Sequence, residues 1–337
     1  MFISRTPLRI SFVGGGTDIP AFYRDHEGAV VSTAIDKSIY LFVNPKFDRR
    51  IRVSYSITEV VDSVDELRHE LVRESLKAVG ISAGIEIASI SDVPAHGTGL
   101  GSSSAYTVGL LNALWTYRGQ TVAAEHLARE ACEIEIERCG KPIGKQDQYI
   151  AAFGGMRFIR FQSDGRVVVD AVRIAPEAKE RLEKSLLLLY TGIARESDAV
   201  LKEQAANTCR GNANSRALVQ MARLAHDLRA ALEAGQPEAM GELLHAGWQL
   251  KRQLANGITS PQIDAWYDTA RDHGALGGKI LGAGGGGFLL LYAPPERHER
   301  ILQALPDLRR VPFAFSPEGS WIYSIDESSG PRGEQRP

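Results

Sequence analysis

Apolar residues along this chain recur with two periods, and the two take turns. Arg9-Ile10-Ser11-Phe12-Val13 changes face at every residue, as a strand does, and runs into Gly14-Gly15-Gly16. Val30 to Val43 carries apolar residues at Val31, Ile35, Ile39, Leu41 and Val43, which predicts one or two further strands. Arg50 to Tyr55 alternates cleanly, and Ile85 to Ile90 predicts another strand. Between these lies helical spacing, in Leu67, Leu71, Leu76 and Val79, and again from Val122 to Cys139, where Gly140 stops the run. A hairpin is expected around Gly165, with arms Met156–Phe161 and Val167–Val172.

The second half opens on the strand Leu186-Leu187-Leu188-Leu189-Tyr190 and continues in long helical stretches. These cover Ala199 to Ala206, Ala217 to Ala234, Pro237 to Leu254 and Ile263 to His273. A second strand, Phe288-Leu289-Leu290-Leu291-Tyr292, and a helix from Glu296 to Leu305 follow. Strands mixed with helices over 337 residues predict an α+β chain of two packed domains. The boundary falls near 165–185, giving units of residues 1–175 and 176–326, with a polar, frayed tail at 327–337.

Composition narrows the function only by exclusion. A net charge of −2 and a hydrophobic share of 44% are ordinary for a globular protein, and no basic patch argues for nucleic acid. No run of about 18 apolar residues predicts a membrane span. Arg5 and Arg9 break the apolar N-terminus where a signal peptide needs an unbroken core. Cys132, Cys139 and Cys209 form no CxxC pair, which fits free thiols and a cytoplasmic location.

Four segments carry candidate chemistry. Pro94 to Ala105 places glycines and serines ahead of an apolar helix (Tyr106 to Trp115), so backbone N–H groups and the helix dipole converge on an anion such as a nucleotide phosphate. It is neither a Walker A loop nor a spaced GxGxxG. Arg5 to Asp18 ends a strand in three glycines and a carboxylate that can hold sugar hydroxyls, or cap a helix. Gly144-Lys145-Gln146-Asp147-Gln148-Tyr149 follows an acidic helix, and its aspartate can take a hydroxyl proton in phosphoryl transfer. Gly277 to Phe288 packs seven glycines around a backbone that must pass close to a ligand or another segment.

In this order the four segments resemble the GHMP kinase superfamily, named for galacto-, homoserine, mevalonate and phosphomevalonate kinases, over roughly residues 5 to 292. The resemblance implies an N-terminal domain like ribosomal protein S5 domain 2 and a C-terminal ferredoxin-like α/β plait. It implies ATP and Mg²⁺ as cofactors. Gly97, Gly99, Leu100, Gly101, Ser102, Ser103 and Ser104 match the nucleotide loop, Asp147 the catalytic carboxylate and Arg9 its basic partner. Ser103 matches the metal-associated serine, and the metal-binding glutamate falls on Glu135 or, with a different gap, on Glu137.

Thr6-Pro7-Leu8-Arg9-Ile10, the Gly14–Asp18 run and Ile143–Tyr149 are most similar to the heptose-phosphate branch of that family. This implies phosphorylation of O1 of D-glycero-D-manno-heptose 7-phosphate, on the way to nucleotide-activated heptose. Gly15, Gly16, Thr17, Asp18, Lys145, Gly284 and Gly285 are then the expected substrate contacts. Arg195, Arg24 and Lys37 are further candidates for the substrate phosphate. A fucokinase- or galactokinase-like sugar kinase stays open as an alternative, as does a non-catalytic nucleotide- and sugar-binding regulator. The expected partner is a small sugar phosphate, with neither nucleic acid nor membrane, and a homodimer is allowed.

Overall fold

The structure, a computed structural model, describes residues 1–94, 97–194, 198–208 and 211–325. The expected tail at 327–337, Arg195 and Cys209 lie outside the described residues.

Chain order begins with β1 (Phe2–Val13), α1 (Pro20–Tyr23) and β2 (Gly28–Pro45). Next come β3 (Ile51–Ser54), β4 (Thr58–Val61), α2 (Glu70–Val79), β5 (Ile85–Ser91) and α3 (Ser102–Tyr117). The first unit continues with α4 (Ala124–Cys132), α5 (Gln146–Phe153), β6 (Met156–Phe161) and β7 (Val167–Ala171). β1 reads as a nearly continuous buried run because it is covered on both faces: α3 packs on one side, and the helices Ala213–Glu233 and Met240–Lys251 of the second unit reach the sheet as well. That double cover hides its alternation N-terminal to Arg9, so the strand starts seven residues earlier than the pattern suggests.

The second unit holds α6 (Pro176–Lys184), β8 (Leu186–Tyr190), α7 (Asp198–Ala206), α8 (Ala213–Glu233), α9 (Met240–Lys251) and α10 (Pro261–Asp272). It closes with β9 (Gly277–Ile280), β10 (Phe288–Tyr292), α11 (His298–Ala304) and β11 (Arg309–Arg310), after which β12 (Trp321–Ser324) follows. The four strands β11-β8-β10-β9 form one antiparallel sheet, helices lying between the first and second in sequence and between the third and fourth. That order is the ferredoxin-like α/β plait expected from the resemblance. β12 does not join it. It crosses back and pairs antiparallel with β1, Phe2 opposite Ser324 and Arg5 opposite Trp321.

The first sheet follows the path β12-β1-β2-β5-β3-β4, with β6 and β7 branching from β2. Val30 to Val43 is therefore part of one long strand: its first part pairs with β6 and its last with β5. The expected helix from Val122 to Cys139 is divided. α4 ends at Cys132, and Glu133–Arg138 forms a π-helical turn. The wider turn rotates Glu135 into the interior beside Ile134 and leaves Glu137 in solvent, which matters for the site.

Candidate active site

Three ends of secondary structure converge on one cavity of about 670 Å³: the C-terminal part of β1, the N-terminus of α3 and the turn ahead of α5. α3 has no acidic residue in its first turn and starts after Gly101, so its free N–H groups face the cavity with Ser102, Ser103 and Ser104. The loop before it is stitched to β1, because the Arg9 backbone N–H donates to the Leu100 carbonyl at 3.0 Å. Leu100 itself is buried beneath the loop and does not line the cavity.

Arg9 is the pivot. Its Nε donates to Asp147 Oδ1 at 2.8 Å, its Nη2 to Asp147 Oδ2 at 2.6 Å and its Nη1 to the Gly99 carbonyl at 2.6 Å. The Arg9 side chain is 5% exposed and that of Asp147 24%, so the carboxylate is the partner that meets the cavity. Charge-assisted bidentate pairing of this kind fixes the orientation of the carboxylate.

Glu135 lies under the serines. It accepts from Ser103 Oγ and Ser104 Oγ, both at 2.7 Å, and from Gln148 Nε2 at 2.5 Å. Burial raises its pKa above the ordinary value, three hydrogen bonds pull it back, and the charge of Asp147 raises it again. A buried carboxylate beside a serine hydroxyl, with no basic side chain hydrogen-bonded to it, is a hard-oxygen donor set of the kind Mg²⁺ takes together with substrate phosphates. The exposed Glu137 has no such place.

Asp18 is buried on the other wall. It accepts from the Gly16 N–H at 3.0 Å, the Gln146 N–H at 3.2 Å and Gln146 Nε2 at 3.1 Å. Burial first, and repulsion from Asp147 second, hold its carboxyl above the ordinary value. Gly144 passes so close that a Cβ there would overlap the Asp18 carboxylate. Gly15 and Gly16 line the cavity, whereas Thr17 is spent on the turn, its Oγ1 donating to the Gly14 carbonyl at 2.8 Å.

The second glycine-rich segment arrives from the other unit. Gly99 (φ +75°) and Gly282 (φ +68°) lie back to back, and a Cβ on either would overlap the other loop. Gly284 lines the cavity, but Gly285 is turned to the Ile258 carbonyl and does not. Lys145 also points away: its Nζ donates to the Gly165 carbonyl at 2.8 Å and stands 5.2 Å from the Tyr23 ring centroid. Arg24 is exposed and Lys37 pairs with Asp36; neither lines the cavity.

Two lysines that the motifs did not single out do line it, Lys251 at the end of α9 and Lys279 on β9, each 4% exposed. Their signal was present but faint. Lys251 falls in phase with buried Leu244 and Trp248, and Lys279 interrupts a wholly buried strand. Burial, then the Arg9 guanidinium, push Lys251 down to about 8; burial and Lys251 lower Lys279 further.

A strand, a glycine-rich helix start, an arginine–aspartate pair and a second glycine loop from a ferredoxin-like unit define a two-domain small-molecule kinase. The GHMP kinases N-terminal domain matches residues 64–155 and the GHMP kinases C-terminal domain residues 228–308, together just over half of the chain. The protein belongs to the GHMP kinases, which use ATP, and its relatives place it among the sugar kinases of that family. It is 28% identical to the D-glycero-alpha-D-manno-heptose 7-phosphate kinase of Campylobacter jejuni, across 94% of this chain and 98% of that protein. It is 27% identical to the L-fucokinase/L-fucose-1-P guanylyltransferase of Bacteroides fragilis, across 94% of this chain and 38% of that protein. The crystal structure of a D-glycero-D-manno-heptose 1-phosphate kinase from Bacteroides thetaiotaomicron superimposes with a TM-score of 0.80 at 25% identity, covering 97% of this chain and all of that one. Among the described residues no helix is long and apolar enough to cross a membrane.

Proposed function

We propose that the protein transfers the γ-phosphoryl group of ATP to the anomeric O1 hydroxyl of D-glycero-D-manno-heptose 7-phosphate, giving the 1,7-bisphosphate. The observation that carries this reading is the Arg9–Asp147 pair at the foot of the phosphate loop, with Asp18 on the facing wall. The N-terminus of α3 holds the nucleotide phosphates through backbone N–H groups and Ser102 to Ser104. Asp18 orients sugar hydroxyls. Asp147 accepts the proton of the hydroxyl that attacks, and Arg9 fixes that carboxylate and offsets charge on the transferring group. Ser103 and Glu135 would hold a Mg²⁺ ion, which when bound would neutralise charge on the phosphates. Residues 1–175 supply most of this site and 176–326 the second glycine loop.

The heptose reading draws support from the Campylobacter relative, similar along its whole length. A coupled assay for ADP against hexoses, heptoses and their phosphates tests it, with phosphorus NMR of the product. Turnover with heptose 7-phosphate and a new anomeric phosphate signal are expected. Preferential turnover of L-fucose or galactose would overturn the substrate. ADP release with none of these sugars would favour a regulator on the same fold.

A further inference from the structure

The cavity contains two lysine side chains, Lys251 and Lys279, whose hydrogen bonds among the described residues run to backbone carbonyls. Lys251 Nζ donates to the Gly282 carbonyl, and Lys279 Nζ to the carbonyls of Ser11 at 2.9 Å and Phe12 at 3.1 Å. A buried cation is costly unless a charge compensates it. Arg9 has Asp147, and Asp18 is already occupied by Gly16 and Gln146. Asp198 and Lys141 also line the cavity, Lys141 paired with Glu70. Two further polar groups of the lining, Ser11 Oγ and Gln204 Nε2, are buried and have no hydrogen-bond partner among the described residues. The lining thus offers more donors than its described acceptors satisfy. Such a site is complete only with an anion bound.

The position of Lys251 says which anion. Its ammonium holds Gly282; Gly282 lies against Gly99; the Gly99 carbonyl receives Arg9; and Arg9 holds Asp147. These contacts form a chain along the end of the phosphate loop, where a terminal phosphate laid along 97–104 meets a hydroxyl oriented by Asp147. We infer that Lys251 is a further catalytic residue, whose ammonium moves from the Gly282 carbonyl onto the transferring phosphoryl group. Lys279 stays on β1 and acts as its fixed neighbour.

The step balances as a simple displacement. The acceptor oxygen forms a bond to the γ-phosphorus, and the bond from that phosphorus to the β–γ bridging oxygen breaks. The electron pair leaves with ADP and the hydroxyl proton passes to Asp147. Lys251 stays protonated and, with Arg9, faces oxygens whose charge is redistributed during transfer. The inference rests on the kinase reading of this site, not on which sugar is the acceptor.

Lys251→Met and Lys251→Arg, compared with wild type, test it. With ATP and heptose 7-phosphate, Lys251→Met is expected to lose kcat by about a hundredfold or more while KM for the sugar phosphate and affinity for ADP hold. Lys251→Arg recovers part of the loss. In calorimetry, ADP with aluminium fluoride, a mimic of the group in transit, binds more weakly to Lys251→Met than to wild type, whereas ADP alone does not. A rise in sugar-phosphate KM with kcat intact would assign Lys251 to the acceptor's own phosphate and overturn the inference. So would a joint fall in thermal stability and ADP affinity, since that marks a brace for the Gly282 loop. If wild type turns over no sugar phosphate, the substrate reading fails; the aluminium fluoride comparison needs no acceptor and still decides Lys251.

Discussion

Arg9 and Asp147, 138 positions apart, meet in a two-pronged ion pair whose short bonds, 2.8 and 2.6 Å, leave the carboxylate no freedom to rotate. The carboxylate proposed to receive the proton is thereby aimed before any ligand arrives. Asp147→Ala should keep ADP affinity and lose kcat by about 10²- to 10⁴-fold, the usual worth of a general base. Steady-state kinetics beside calorimetry of ADP binding checks this. Unchanged turnover would remove Asp147 from the mechanism.

Glu135 and Glu137 differ by two residues and by a whole environment. Glu135→Gln should raise the Mg²⁺ concentration for half-maximal activity by roughly tenfold or more, while Glu137→Gln leaves it alone. A Mg²⁺ titration of both variants makes the comparison. Equal behaviour would show that the carboxylate under Ser103 does not serve the metal.

Gly144 is required for space. In Gly144→Ala the new methyl group overlaps the Asp18 carboxylate, so Asp18 must leave its position against Gln146. The expected result is a large rise in acceptor KM with ADP affinity preserved, plus a stability loss of about 1–3 kcal/mol. Sugar binding that survives the substitution would detach Asp18 from the hydroxyl-binding role.

Lys251 makes a prediction about pH. Its folded pKa of about 8 lies below the ordinary 10.5. Below about pH 8 both folded and unfolded chains bind the proton, and the full cost of burying the ammonium is present. Between about 8 and 10.5 only the unfolded chain binds it, so wild-type stability gains on Lys251→Met as pH rises, by roughly 3 kcal/mol across the window. Chemical denaturation of both proteins at several pH values measures the difference. In the free enzyme, kcat/KM should fall above about pH 8 as the ammonium is lost, and Lys251→Arg should move that fall upward. A pH-independent stability difference would mean that Lys251 titrates normally.

The parts of this molecule legible in the sequence are those where local chemistry dictates the backbone. Tyr106 to Trp115 had to be a buried helix behind a glycine loop, and the observed helix takes in Ser102 to Ala105 as well; β8 and β10 announce themselves as apolar runs. What was hidden depends on distant packing. β4 is a short edge strand, and β12 has no local signature beyond two aromatics. The π-helical turn at 133–138 preserves helical composition while shifting the register, so the choice between Glu135 and Glu137 could not be made by counting. Asp147 and Arg9 were found because motifs surround them. Lys251 and Lys279 stand singly, and a single lysine in an apolar pattern becomes informative only when the cavity it reaches is seen. Lys145 misled for the complementary reason: it neighbours Asp147 in sequence, yet the Gly165 carbonyl of the facing hairpin captures it.

The return of β12 has a consequence for biosynthesis. Trp321–Ser324 seals the edge of β1, and Ser320 Oγ adds contacts to Thr6 Oγ1 at 2.8 Å and Asn112 Nδ2 at 3.0 Å. β1 therefore waits for β12. Until β12 is made, β1 presents an unpaired edge, the kind of surface on which nascent chains associate. A product terminated after β11 would retain both glycine loops and every residue assigned to catalysis, yet expose that edge permanently. Soluble yield, more than chemistry, should suffer in such a truncation.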